Sequence, residues 1–134
     1  MYEEICKLIL CEQGHDASFI GVALDSYMEK LMSNAEFFLH LDKGLCRGFI
    51  AYYCNDETTL TAYVTLILVA LESRRSGLGR LLINSVIEQA RSRGFRACRL
   101  EVNSNNLAAQ AFYGKLGFYS IDNRAGKILM ESKL

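Results

Sequence analysis

Residues 74–80 read Arg-Arg-Ser-Gly-Leu-Gly-Arg, two glycines and three arginines running directly into a stretch of helical spacing. The first turn of a helix carries backbone N–H groups with no partner inside the helix, and with the helix dipole they form a site for phosphate or another anion. A side chain at Gly77 or Gly79 would stand where the anion sits, and glycine reaches dihedrals that other residues avoid. Arg74, Arg75 and Arg80 add charge at the mouth. These residue types at this spacing offer a phosphate or pyrophosphate cradle. A plain strand-to-helix turn with solvated arginines accounts for the same letters.

Two sharper alternatives are tested against the sequence. A P-loop needs Gly-Lys followed by Ser or Thr, and Gly-Leu-Gly-Arg-Leu-Leu supplies neither. A dinucleotide fingerprint needs a third glycine where Leu82 stands, and Glu101, at a plausible distance for a ribose acid, is its single match.

The elements that position the cradle follow from periodicity. Ile5, Leu8 and Ile9 share a helical face over residues 3–12, with Glu3 and Glu4 in the first turn, where the dipole favours acids. Turn formers without a period occupy residues 12–23. A second helix then places Leu24, Tyr27, Met28 and Leu31 on one side. Residues 35–41, 45–54 and 59–71 are aromatic and β-branched, separated by Asp-Lys-Gly and Asn-Asp-Glu-Thr, and predict three meandering strands. The last of them is almost unbroken in apolar character, as a central strand covered on both faces would be.

A helix follows over 77–93, with Leu78, Leu81, Leu82, Val86, Ile87 and Ala90 on its apolar face and Gly94 to end it. A strand over 95–103, a helix within 106–118 and two closing strands, at 118–122 and 127–134 around Asn-Arg-Ala-Gly, complete the chain. This order predicts a single α/β (α+β) domain over residues 1–134, with helices on a mixed, mostly antiparallel sheet. The ligand crevice belongs where the meander gives way to strand, helix, strand.

Composition narrows the function. Fifteen Lys plus Arg balance fifteen Asp plus Glu, which removes the electrostatic case for a nucleic-acid or membrane partner. Cys6, Cys11, Cys46, Cys54 and Cys98 form no CxxC pair and read as reduced core residues. The acidic start, Met1-Tyr2-Glu3-Glu4, differs from a basic secretory leader, and no apolar run approaches the ~20 residues that span a bilayer. A cytoplasmic protein is expected. His15 and His40 have no metal-ligand spacing, and no metal is expected.

Arg74-Arg75-Ser76-Gly77-Leu78-Gly79 resembles the R/Q-x-x-G-x-G/A motif of the GNAT superfamily of N-acetyltransferases, set between an apolar strand and a helix as in that family. Asn106, Ala109, Phe112-Tyr113 and Gly117-Phe118 resemble its second signature, one strand further on, so the similarity covers roughly residues 35 to 134. The resemblance implies that acetyl-coenzyme A lies in a V-shaped opening between the family's fourth and fifth strands. Its pyrophosphate would rest on the amides of Gly77–Arg80, its pantetheine arm would pair with backbone near Leu68, Val69 and Leu71, and Asn106 would contact it. The sequence departs from the family at Leu71, where many members have proline. It also departs at the start, where residues 2–9 resemble the family's first helix and the usual first strand is missing. The sheet edge left open would favour a homodimer or local disorder.

Acetyl transfer to an amine needs a neutral nucleophile, a polarised thioester carbonyl and a proton for the departing thiolate. A lysine-like amine of pKa ~10.4 costs about 4–5 kcal/mol to deprotonate at pH 7, so a base or desolvating pocket would help. Asp56, Thr65, Glu72 and Glu101 lie near the candidate strands, yet each reads as an ordinary surface or structural residue. Polarisation falls to a backbone N–H near Leu68–Val69. Tyr113 is the candidate acid, since a phenol can protonate the thiolate. Tyr52, Tyr53 and Tyr63 read as core fillers before pocket residues. The expected activity is acetyl transfer to a primary amine of a small molecule, such as an amino sugar, or of a peptide. A noncatalytic acyl-coenzyme A-binding or interaction module is the alternative.

Overall fold

The computed structural model of the protein describes residues 2–15 and 24–134. Its elements are α1 (Tyr2–His15), α2 (Leu24–Asn34), β1 (Glu36–Asp42), β2 (Leu45–Tyr53), β3 (Thr61–Val69), α3 (Leu78–Ser92), β4 (Ala97–Asn103), α4 (Leu107–Lys115), β5 (Tyr119–Arg124) and β6 (Lys127–Lys133). The order is the one periodicity predicts. α1 runs further than its apolar spacing indicates, into the turn-rich segment, and the remainder of that segment, residues 16–23, lies outside the described residues.

The strands form one sheet in the order β1-β2-β3-β4-β6-β5, which bears out the mixed, mostly antiparallel architecture. Among the described residues both α1 and α2 come before the first strand, and β1 stands at a sheet edge. Two hairpins close on two-residue turns with positive φ at both positions, Lys43 (53°) with Gly44 (80°) and Ala125 (51°) with Gly126 (77°). That is the type I′ geometry, whose twist matches the flanking strands. The second turn is tighter than expected, because Asn123 and Arg124 still pair with Ile128 and Lys127. β3 and β4, joined through α3, pair in parallel from Thr61↔Ala97 to Val64↔Leu100.

The chain divides into two compact units, Met1–Ala51 with Leu66–Ile83 and Tyr52–Thr65 with Asn84–Leu134. In the first, Ile5 and Ile9 of α1, Met28 and Leu31 of α2, Cys46, Phe49 and Ala51 of β2, and Leu66 and Leu68 of β3 make one hydrophobic cluster. Leu8 and Tyr27 pack against it half-buried, as expected of their helical faces, while the side chain of Leu24 lies outside the described residues. In the second unit, Ala62 and Val64 stand opposite Cys98 and Leu100, which in turn stand opposite Ser132 and Met130, and all six are buried.

Two expectations are corrected. Leu81 is 52% exposed while Leu78, Leu82, Ile83, Val86, Ile87 and Ala90 are buried. At 100° per residue Leu81 falls on the far side of α3 from that stripe, where three-residue spacing from Leu78 alone carries it. None of the five cysteines is in a disulfide, and Cys46, Cys54 and Cys98 are buried, but Cys11 is exposed on α1 and Cys6 only half-buried.

Candidate functional site

In the first unit the chain leaves β3 at Val69 and turns sharply. The N–H of Ala70 donates to the Arg47 carbonyl at 2.8 Å, and the N–H groups of Ser73 and Arg74 donate to Ala70 and Leu71 at 2.8 and 3.3 Å, closing a short 3-10 turn over Leu71–Ser73. Arg75 (φ 66°) and Gly77 (φ 85°) then adopt left-handed backbone, the second at no steric cost to glycine. The Leu81 N–H donates to the Gly77 carbonyl at 3.1 Å and opens α3. The amides of Leu78, Gly79 and Arg80 therefore have no acceptor within the helix. No acidic side chain occupies the first turn, and the Ser76 hydroxyl donates to the Ser73 carbonyl. The positive end of α3 thus carries no acid of its own first turn, and a Cβ built on Gly77 would meet open space.

The cradle is anchored from beneath. Leu78 turns inward, 7% exposed, and a Cβ on Gly48 of β2 would stand 3.0 Å from its Cδ2 atom and 3.1 Å from the Leu68 carbonyl. Gly48 is a residue that periodicity passes over: it lets the start of α3 settle against the middle of β2.

The three arginines differ. Arg75 and Arg80 are exposed at the mouth. Arg74 is folded back, its Nε donating to the Val69 carbonyl at 3.1 Å and its Nη2 paired with the Glu12 carboxylate of α1. Leu68 is buried, Val69 half-buried and Leu71 exposed, so the strand end proposed to face pantetheine presents backbone beside a recess lined by Leu8, Cys11, Glu12, Ala70 and Glu72.

The second unit carries Asn106 and Tyr113 on opposite ends of α4. Asn106 is the N-cap: its Oδ1 accepts the Ala109 N–H at 3.0 Å. At the other end the Phe118 N–H donates to the Tyr113 carbonyl at 3.0 Å and the Gly117 N–H to Gly114 at 3.2 Å, with Gly117 at φ 98°. This is a Schellman cap. The Tyr113 and Phe118 rings meet edge to face, centroids 5.8 Å apart, and Phe112 packs on Tyr113 at 5.1 Å. Burial pushes the Tyr113 phenol up to about 12. The same cap ends α3, where Phe95 and Gly94 donate to Ala90 and Arg91 at 3.0 Å each and Gly94 takes φ 79°.

The three candidate carboxylates Asp56, Glu72 and Glu101 have structural partners. Asp56 accepts from the Thr58 and Thr59 N–H groups at 3.1 Å each, and hydrogen bonding to Thr59 lowers its pKa. Glu72 pairs with Arg47 at 3.2 Å, and Glu101 accepts from the Tyr63 hydroxyl at 3.0 Å. Tyr52 is buried, in keeping with a core role. Among the described residues no group of three His, Cys, Asp or Glu side chains is placed to hold a metal, and no helix is long and apolar enough to cross a membrane. His40 is exposed on β1, and the side chain of His15 lies outside the described residues.

Comparison with known proteins places this arrangement. The Acetyltransferase (GNAT) family profile matches residues 3–118. An uncharacterized N-acetyltransferase of Methanocaldococcus jannaschii, MJ1207, is 38% identical over 98 residues, covering 69% of this chain and 43% of that protein. The ribosomal protein bS18-alanine N-acetyltransferase of Escherichia coli is 41% identical over 63 residues, 47% of this chain and 40% of that one. The chain thus spans less than half the length of the curated relatives it matches. In fold, the crystal structure of PaiA N-acetyltransferase from Thermoplasma acidophilum in complex with coenzyme A superposes with a TM-score of 0.76 at 18% identity, covering 99% of this chain and 92% of that one. With both signatures on the elements that the profile spans, the chain belongs to the acetyltransferase (GNAT) family.

Proposed function

We propose that residues 1–134 work as one acetyl-coenzyme A-dependent N-acetyltransferase that transfers an acetyl group to a primary amine of a small molecule or peptide. The observation that carries this reading is the start of α3: three amides without helical acceptors, a first turn free of acids and a glycine at φ 85° before it. A diphosphate fits that arrangement because the amides and the dipole stabilise it without a counter-ion. Acetyl-coenzyme A, when bound, supplies the thioester. The residues of this chain would do the rest: amides of Gly77–Arg80 hold the diphosphate, Arg75 and Arg80 add charge, and backbone at Leu68, Val69 and Leu71 pairs with pantetheine. Tyr113, protonated at neutral pH, would hand its proton to the thiolate as the C–S bond breaks, and the proton shed by the acylated amine would restore the phenol. Asn106, whose side chain caps α4, would also contact the carrier beside that helix.

For the acceptor, the Escherichia coli relative named for a ribosomal-protein alanine supports a peptide amine, and an amino sugar is the other arm of the test. Five cysteines outside any disulfide support a reducing, cytoplasmic setting. The experiment is a thermal-shift comparison of acetyl-coenzyme A, NAD and ATP, followed by free-thiol release across a library of peptide, amino-sugar and small amines. A shift with acetyl-coenzyme A alone and thiol release with one amine class are expected, and Gly79→Val should remove the shift by filling the phosphate position. Binding without thiol release across the library would replace the enzyme with a noncatalytic acyl-coenzyme A-binding module.

A further inference from the structure

The guanidinium of Arg74 lies at the mouth of the cradle yet is committed elsewhere. It reaches back five residues to the Val69 carbonyl at 3.1 Å and pairs with Glu12, which is 62 positions away in sequence and whose side chain is only 17% exposed. The pair stands between a surface pair and a buried one, the arginine side chain 41% exposed and the glutamate 17%. What the pair does fix is where a positive charge stands. Neutralised by Glu12, it adds little to the field of the α3 amides, and its Nε occupies the carbonyl at the strand end where the carrier's pantetheine arm is proposed to pair.

We propose that Glu12 is a positioning residue that acts through Arg74: it latches the guanidinium on Val69, and the carrier must draw Arg74 off before diphosphate and pantetheine are both seated. This rests on the reading of the α3 cradle as a coenzyme A site. The latch opposes loading, since a mostly buried carboxylate must lose its partner as the carrier binds, and it returns when the carrier leaves. A charge released at the mouth would then serve the diphosphate, where a planar five-donor group binds oxygens bidentately.

The test is calorimetric titration of the full chain with coenzyme A. Glu12→Ala should tighten binding three- to tenfold and steepen its loss with salt, because Arg74 is then free to meet the diphosphate. In the Arg74→Ala background, the same Glu12→Ala change should alter affinity less than twofold. Glu12→Gln, which keeps the side-chain volume, should tighten binding at least twofold and stands in if the alanine variant loses its native circular dichroism. If wild type binds coenzyme A and both Glu12 variants bind it no tighter, the pair is a brace and the latch is wrong. If Glu12→Ala tightens binding equally without Arg74, Glu12 does not act through it. No binding of coenzyme A by wild type would overturn the carrier site itself, and the latch with it.

Discussion

Tyr113 and Phe118 are the two ends of one cap: the Phe118 N–H closes on the Tyr113 carbonyl at 3.0 Å while their rings meet edge to face at 5.8 Å. The family signature of tyrosine followed by Gly-Phe is therefore also a piece of helix physics, in which Gly117 supplies the left-handed backbone and Phe118 the apolar contact. A Cβ on Gly117 would meet only the Ser132 hydroxyl oxygen at 3.7 Å, an ordinary contact, so the cost of replacing it is conformational. Gly117→Ala should lower stability by roughly 1–2 kcal/mol and Gly117→Asn by less, since asparagine tolerates this region. Urea unfolding of the two variants measures the difference. Equal losses would mean that the cap does not depend on the φ of Gly117.

At the other end of the same helix, Asn106 accepts the Ala109 N–H at 3.0 Å. Asn106→Ala should cost about 1 kcal/mol, and Asn106→Asp, which caps as well and favours the dipole, should restore it. The side chain is also the proposed contact with the carrier, so coenzyme A affinity measured by titration should fall in both variants, the stable aspartate one included. Affinity that follows stability across the two would confine Asn106 to the cap.

Gly48 lies 3.0 Å, by its hypothetical Cβ, from Leu78 at the first position of α3, with the Leu68 carbonyl at 3.1 Å on the same side. Gly48→Ala must push one of them, and the backbone carbonyl cannot yield as a side-chain tip can. The expected cost is about 1–3 kcal/mol of overpacking, with weaker coenzyme A binding because the displaced element carries the cradle amides. Thermal melts with and without coenzyme A separate the two effects, and unchanged affinity would show that the cradle is set independently of β2.

What the sequence makes legible here is local. Gly94 announces a helix end because left-handed backbone is nearly glycine's alone, and the Lys43-Gly44 turn announces a hairpin for the same reason. The α3 cradle is legible because its glycines and arginines are consecutive. Gly48 and Glu12 are not legible: each matters through a partner that only the tertiary fold brings near, Leu78 for one and Arg74 for the other. Leu81 misleads because an apolar residue at helical spacing is counted into a stripe before the stripe is turned through its full angle. Tyr113 looks like a core residue and is one, 7% exposed, and its burial raises the phenol further above its ordinary range.

That burial has a pH signature. Tyr113 is pushed up to about 12 from 10.0 by desolvation, so above pH 10 the unfolded chain releases a proton that the folded chain keeps. The unfolded state then binds fewer protons, and stability falls as pH rises from 10 towards 12. Cys98, raised from 9.0 to about 12 by burial and then by Cys54, has the same sign and begins its loss one unit lower. Urea midpoints should therefore hold level up to pH 9 and decline beyond it. Tyr113→Phe should shrink the part of the decline that starts at pH 10, which Tyr119 shares, and leave the part that starts at pH 9. The same variant should lower turnover in the thiol-release assay while coenzyme A affinity stays near wild type, since the phenol is asked only to give up a proton. Midpoint curves that run parallel in wild type and variant would mean that the phenol titrates as freely in the fold as outside it, and a buried acid at that position would have no basis.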